Sequence, residues 1–327
     1  MQPPLQTAGW LYTRSNKIYQ PDGQVWVGRG ANIHDTRGCN ACTYSEPDLS
    51  EVLRRIDELV DAWGATFVRL CLESYASAAG RVHWQGLRQD PQYFRDVQRI
   101  VDHVGQKPGV YLLLTIWEDP SLDADGWPTS KTRKIWKKLV KTFGNDSHVL
   151  FGVATEPKAN FDGAKDPAAW RAMNSTVKTI RAIEKRRGFP SHLIAVQGTG
   201  GWARRLDYYV THPIRAGGGD NVVYEVHVYD PPSNWSNQFE VPAETLPVII
   251  GEYGPASGFM TLAETKQMAR RASELEIPHL GWTLHMRCPP NLLVDHSGGT
   301  CGIGMPLEPT AWGRWLRRYL GGSSPNP

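Results

Sequence analysis

The chain has 327 residues, 40% of them hydrophobic, with 36 basic against 33 acidic side chains and a formal charge of +3. The near balance of charge, with no basic cluster, excludes an electrostatic case for nucleic acid, and no apolar stretch approaches the roughly 20 residues that span a bilayer. The length suits one α/β barrel with long loops. Pairs such as Lys137-Lys138 and Arg270-Arg271 read as solvated helix faces.

In chain order, Met1-Gln2-Pro3-Pro4-Leu5 has neither the basic start nor the apolar stretch of a signal peptide; a mature secreted enzyme with an added Met would look the same. Residues Ile18–Val27 predict a hairpin turned by Pro21-Asp22-Gly23, capping a barrel floor and leading into a first strand near Val27–Asn32. Further strands are expected at Phe67–Leu72, Val110–Trp117, Val149–Thr155, Leu193–Gln197, Val222–Tyr229, Pro247–Tyr253 and His279–Leu284. Amphipathic helices fall between them at Leu49–Trp63, Pro91–Lys107, Thr129–Phe143, Pro167–Arg187, Leu262–Leu275 and Thr310–Tyr319. The two remaining crossovers are weaker, Ala203–Val210 being short and Pro231–Leu246 loop-like. Strands alternating with helices predict a single (β/α)8 TIM barrel over residues 1–320, followed by a flexible tail or linker at 321–327. A monomer is expected, because no amphipathic stripe is left over.

Of the 13 tryptophans, Trp63, Trp136 and Trp170 sit at helical positions and read as core. Trp117, Trp282, Trp84, Trp127, Trp202 and Trp235 fall at strand ends or in loops, where flat rings can stack on sugars. Five cysteines are present. The spacing of Cys288 and Cys301 does not match a zinc knuckle, so loop disulfides are expected and, with them, an oxidising, extracellular compartment. All three pairings of Cys39, Cys42, Cys288 and Cys301 are open, with Cys39–Cys42 and Cys288–Cys301 preferred. Cys71, inside a strand, reads as a buried thiol.

Chemistry is expected where polar residues end apolar strands, because a parallel barrel presents its site at the carboxyl ends. Those residues are Asn32 and His34, Arg69, Trp117 and Glu118, Thr155 and Glu156, His227 and Tyr229, Glu252, and Trp282. Ala154-Thr155-Glu156-Pro157 and Ile250-Gly251-Glu252-Tyr253-Gly254 each place one glutamate directly after an apolar run. Two carboxylates facing one pocket are the minimum equipment for cleaving a glycosidic bond, and retention needs them roughly 5–5.5 Å apart. Arg69 and Tyr229 could hold a nucleophile anionic, His227 could tune an acid/base, and Trp282 could floor the reacting sugar.

The ordered set Arg69, Glu156-Pro157, His227-Val228-Tyr229, Gly251-Glu252-Tyr253-Gly254 and Trp282 resembles glycoside hydrolase family 5 of clan A, as do Arg29-Gly30-Ala31-Asn32 and Trp63–Leu70. The resemblance covers the chain from about Ile18 to Tyr319. It implies Glu156 as acid/base, Glu252 as nucleophile, and Arg69, His227, Tyr229 and Trp282 around the reacting sugar. It further implies a β-linked polysaccharide or oligosaccharide as substrate, and no metal or cofactor.

Two positions depart from the family pattern. Thr155 stands where Asn normally precedes the acid/base and contacts the sugar 2-hydroxyl, and Trp117 stands where His is usual, with Glu118 adding a third carboxylate. A β-1,4-glucan is the first choice of substrate. A mannanase, a transglycosylase and a carbohydrate-binding barrel with weak or lost hydrolysis are the alternatives.

Overall fold

Chain segments in which every side chain is apolar or internally paired settle in parallel strands covered on both faces. The computed structural model describes residues 9–34, 48–72, 86–117, 119–158, 160–300 and 302–322. Within it, Tyr12–Arg14 (β1) and Lys17–Tyr19 (β2) form a hairpin. The strands Arg29–His34 (β3), Phe67–Leu72 (β4), Tyr111–Ile116 (β5), Val149–Gly152 (β6), Ile194–Gln197 (β7), Val222–Val228 (β8), Val248–Tyr253 (β9) and His279–Gly281 (β10) follow. These last eight close into a barrel in sequence order, β10 pairing with β3 in parallel across the seam. Every residue from β4 to β10 that lies in a strand is buried.

Helices Leu49–Asp57 (α1), Gly86–Gln89 (α2), Pro91–Gly105 (α3), Ser130–Phe143 (α4), Asp166–Arg187 (α5), Asp207–Thr211 (α6), Leu262–Glu274 (α7) and Ala311–Leu320 (α8) accompany the strands. Their starts are written locally. Asp90 caps α3 ahead of Pro91, and Thr129 and Thr261 form reciprocal capping boxes with Thr132 and Glu264. The first predicted helix splits into α1 and a π-helical turn at Glu58–Ala62. The loop-like crossover is a series of short turns between Pro232 and Glu244, and α6 is short as expected.

The turn at Pro21-Asp22-Gly23 forms as expected, closed by an antiparallel Tyr19–Val25 bridge, and a further hairpin turning at Ser15-Asn16 precedes it. Two expectations about elements need correction. The first barrel strand starts at Arg29 and runs on to His34. The fourth and eighth stop at Gly152 and Gly281, so Thr155, Glu156 and Trp282 stand just beyond their strands.

The hairpin does cap the floor. Leu11, Ile18 and Trp26 close over Phe67, Tyr111, Leu113, Leu150 and Leu280, with the Trp26 ring edge-on to Phe67 at 4.8 Å and to Tyr111 at 5.2 Å. That end of the barrel is filled, which leaves the carboxyl ends of the strands for a site.

Among the tryptophans, Trp63 and Trp136 are core, as expected. Trp170 is only partly buried, and Trp127 and Trp235, read as loop rings able to stack on sugars, are buried in the core. Trp84 lies outside the described residues. The Cys288–Cys301 bridge is not formed, since Cys288 is a free buried thiol packed with Cys71, Trp117 and Trp282. Cys301, Cys39 and Cys42 lie outside the described residues, so the disulfide argument for an oxidising compartment finds no support here. The loop that carries Cys288 is tied down by polar contacts instead. Arg54 Nη2 donates to Met305 O at 2.9 Å and Gly304 N to Glu51 Oε2 at 3.1 Å, which joins the last loop to α1 across the seam.

Candidate active site

Arg69, midway along β4, is wholly buried and organises the top of the barrel. Its Nη1 donates to Glu252 Oε1 and to Asn32 Oδ1, each at 2.8 Å, and Nη2 donates to Thr155 Oγ1 at 3.0 Å. Its Nε lies 3.0 Å from Glu225 Oε1, an ion pair without the alignment of a hydrogen bond. Asn32 is itself held by the backbone, donating from Nδ2 to Gly251 O at 2.9 Å and Gly281 O at 3.3 Å. One guanidinium therefore gathers side chains from β3, β4, β8, β9 and the turn after β6.

Glu252 sits on β9, its side chain 5% exposed, and its second oxygen accepts from Tyr229 Oη at 3.0 Å. Glu156 is more open, with 19% of its side chain exposed, and its Oε1 faces His227 Nδ1 at 2.9 Å. Its backbone adopts φ = 46°, the left-handed region that costs a non-glycine residue of order 1 kcal/mol or more. The Glu156 N–H is held by Gln197 Oε1 at 3.2 Å. Strain of this kind persists only where the surroundings over-determine it, and here they aim the carboxylate at Glu252. One oxygen of each carboxylate and a ring nitrogen of His227 lie within 4.8 Å of one another.

Electrostatics separate the groups. Burial presses His227 toward neutrality, but Glu252, Glu156 and Glu225 together outweigh it and carry the imidazole up to about 9. Glu252 is pushed above the usual carboxylate range, first by burial and then by the charge of Glu156, against the pull of His227, Arg69 and Tyr229. Protonating Glu156 removes one of the two influences that raise Glu252 and leaves His227, Arg69 and Tyr229 to hold it anionic.

Stability should record the same proton. A raised imidazole stabilises the fold fully below the unfolded value of about 6.5 and ceases to do so as pH passes its folded value. Thermal melts are expected to show Tm falling between pH 6.5 and about 9, the folded value set by its carboxylate neighbours, with a smaller fall in His227→Gln. An equal fall in both proteins would count against an imidazolium at this position.

Aromatic rings wall the other side. Trp117 stacks on His34 at 5.7 Å and meets Trp282 edge-on at 5.4 Å, and Trp282 is edge-on to His34 at 5.3 Å. Trp312 Nε1 donates to Trp282 O at 2.9 Å and fixes the third wall. The structure thus brings together Asn32, His34, Arg69, Trp117, Thr155, Glu156, His227, Tyr229, Glu252 and Trp282, while Glu118 lies outside the described residues. Thr155 faces inward: its hydroxyl accepts from Arg69 and lies 2.9 Å from Thr115 Oγ1.

The profile of a family described as Cellulase (glycosyl hydrolase family 5) matches residues 28–287. The chain belongs to glycosyl hydrolase family 5. Its curated relative cellulase CelDZ1 from Thermoanaerobacterium sp. is 27% identical over 110 residues, a stretch that covers 33% of this chain and 27% of the relative's length. The catalytic domain of Thermobifida fusca endoglucanase Cel5A, also solved as a variant with cellotetraose, superposes with a TM-score of 0.73 at 18% identity, over 96% of this chain and 98% of that one. The catalytic domain of a mannanase from Streptomyces sp. SirexAA-E gives 0.66 at 21% identity, over 98% and 93%. At such identities these two structures show a shared barrel.

Sequence reading of this family 5 chain missed Glu225, Thr115 and Gln197. Glu225 had a signal: in Tyr224-Glu225-Val226-His227-Val228-Tyr229 the polar residues alternate, so Glu225 and His227 share one face of β8 and Tyr229 continues it just past the strand's end.

Proposed function

We propose that the protein is a retaining endo-glycosidase of β-linked polysaccharide, with β-1,4-glucan the first choice, Glu156 its acid/base and Glu252 its nucleophile. The observation that carries this reading is the pair of carboxylates converging on His227, with one oxygen of each within 4.8 Å of the other, as close as a nucleophile and an acid acting on one bond need to be. Their surroundings differ in the required sense. Among the described residues, Glu252 is buried beside a guanidinium, a phenol and, at 3.4 Å, the His227 imidazole; Glu156 is more open and pairs with that same imidazole.

In the first half-reaction Glu252 attacks the anomeric carbon while Glu156 passes its proton to the departing glycosidic oxygen. A glycosyl ester on Glu252 forms as the bond between sugars breaks. In the second, the Glu156 carboxylate takes a proton from water, the water oxygen bonds the anomeric carbon, and Glu252 leaves as carboxylate. Arg69 and Tyr229 hold Glu252 in line throughout. His227 occupies Glu156 Oε1 and leaves the other oxygen to carry the proton. The aromatic wall of Trp117, Trp282 and His34 offers apolar surface to the sugar ring. A polymeric substrate of this kind is met outside the cell, which is where the enzyme would act; among the described residues no helix is long and apolar enough to cross a membrane.

Incubation with β-glucans, mannan, xylan and xyloglucan, read by mass spectrometry beside Glu252→Gln, tests the proposal. Defined oligosaccharides from β-1,4-glucan, absent with the variant and first appearing as the β-anomer by NMR, are the expected result. Products from mannan alone would move the substrate, and products longer than an oligosaccharide substrate would move the reaction to transfer. Binding without any product would overturn the enzyme.

A further inference from the structure

Glu225 is a fully buried carboxylate that takes no part in the two half-reactions above. Its Oε1 lies 3.2 Å from His227 Nε2 and 3.0 Å from Arg69 Nε. On the other edge of the ring, His227 Nδ1 faces Glu156 Oε1 at 2.9 Å and Glu252 Oε2 at 3.4 Å. Both ring nitrogens therefore look at carboxylate oxygens, and only an imidazolium has two N–H groups to give them. We propose that Glu225 is a positioning residue that keeps His227 an imidazolium throughout the reaction cycle, so that Glu156 meets a hydrogen-bond donor in both its acid and its base form. The proposal rests on reading Glu156 as the acid/base.

Charge counting supports it. The charged groups that face His227 among the described residues are Glu225 from β8, Glu252 from β9 and Glu156 from the turn after β6; behind them Arg69 from β4 pairs with Glu225 and Glu252, Gln197 from β7 hydrogen-bonds Glu225, and Tyr229, just past β8, donates to Glu252. With Glu156 protonated for catalysis, Arg69 and an imidazolium balance Glu225 and Glu252. Without Glu225 the same cluster carries one excess positive charge, and the imidazole is the group able to shed it; a guanidinium is not. Burial raises Glu225, yet Arg69 and then His227 more than reverse this and hold it below the usual carboxylate range.

The backbone is shaped to admit this carboxylate. A Cβ on Gly251, in the neighbouring strand, would lie 2.0 Å from Glu225 Oε1. Gly251 carries no unusual φ, so its lack of a side chain serves Glu225 and not a turn. The glycine directly before the nucleophile candidate is thus part of the same device.

Protein with 15N-labelled histidine tests this by NMR without reference to turnover. In the wild type, both His227 ring nitrogens are expected to carry protons at pH 7 and to keep them to about pH 9. In Glu225→Gln, one is expected to leave below pH 7. The acid limb of kcat/KM is expected to move up by about one unit, because Glu252 loses a cation 3.4 Å away. Gly251→Ala, which displaces Glu225 while sparing its charge, is expected to lower the His227 titration as well. A neutral His227 at pH 7 in the wild type would overturn the proposal with no variant needed, as would an unchanged titration in Glu225→Gln. Should Glu156→Gln leave hydrolysis intact, the acid/base reading fails while the His227 titration still reports on Glu225.

Discussion

Glu252→Gln is expected to lose turnover by about 10⁴-fold or more on every substrate, whereas Glu156→Gln is expected to lose about 10²–10⁴-fold, in both half-reactions on polysaccharide but only in the second on an activated aryl glycoside. The difference follows from where each carboxylate acts. An amide at 252 cannot form the glycosyl ester, whatever departs. An amide at 156 cannot give a proton, but a 2,4-dinitrophenyl leaving group needs none, so with an aryl glycoside the first step should survive and the ester should accumulate. Azide can then take the place of the base-activated water and restore turnover in the Glu156 variant, giving the β-glycosyl azide. Mass spectrometry of the intact protein would show the added sugar mass on the Glu156 variant and none on the Glu252 variant. If both variants lost the aryl glycoside equally, the assignment of roles would be wrong.

Arg69→Met is expected to cost about 3–5 kcal/mol of stability in addition to activity, because it strands buried charge rather than merely removing a contact. Glu225 and Glu252 would both lose their guanidinium, and Thr155 and Asn32 a donor. Urea denaturation should show the midpoint falling with little change in slope. The double variant Arg69→Met with Glu225→Gln removes one of the stranded charges and is expected to recover part of the loss; a double variant no more stable than the single one would show that the Arg69–Glu225 contact carries little.

Most of the barrel was legible because a strand covered on both faces is a continuous apolar run, and helices with capping residues announce their starts. The two glutamates were legible for the same reason: each interrupts such a run at its carboxyl end. Glu225 was not, because it sits inside a strand that ends in more conspicuous residues. The role of Thr155 could not be read locally, since its partners Thr115 and Arg69 come from 40 and 86 residues away. The aromatic loop residues failed for the converse reason. Trp127 and Trp235 stand in irregular segments, but long loops of a barrel bury aromatic rings beneath themselves as readily as they display them. The position of Cys288 in one loop with Cys301 suggests a bridging cysteine, whereas its surroundings, Cys71 and the rings of Trp117 and Trp282, are those of a small apolar side chain.

The fastening of the last loop to α1 has a consequence for how the chain acquires its shape during synthesis. β3 finds its second neighbour only when β10, some 250 residues later, has been made, and the loop that follows β10 then anchors on Glu51 and Arg54. Until that point β3 presents an open edge of buried-type residues, the kind of surface that invites pairing with another chain. The emerging protein therefore carries an exposed edge until β10 and the loop behind it have left the ribosome. Truncation a few dozen residues short of α8 would not yield a smaller enzyme but a sheet with two unsatisfied margins.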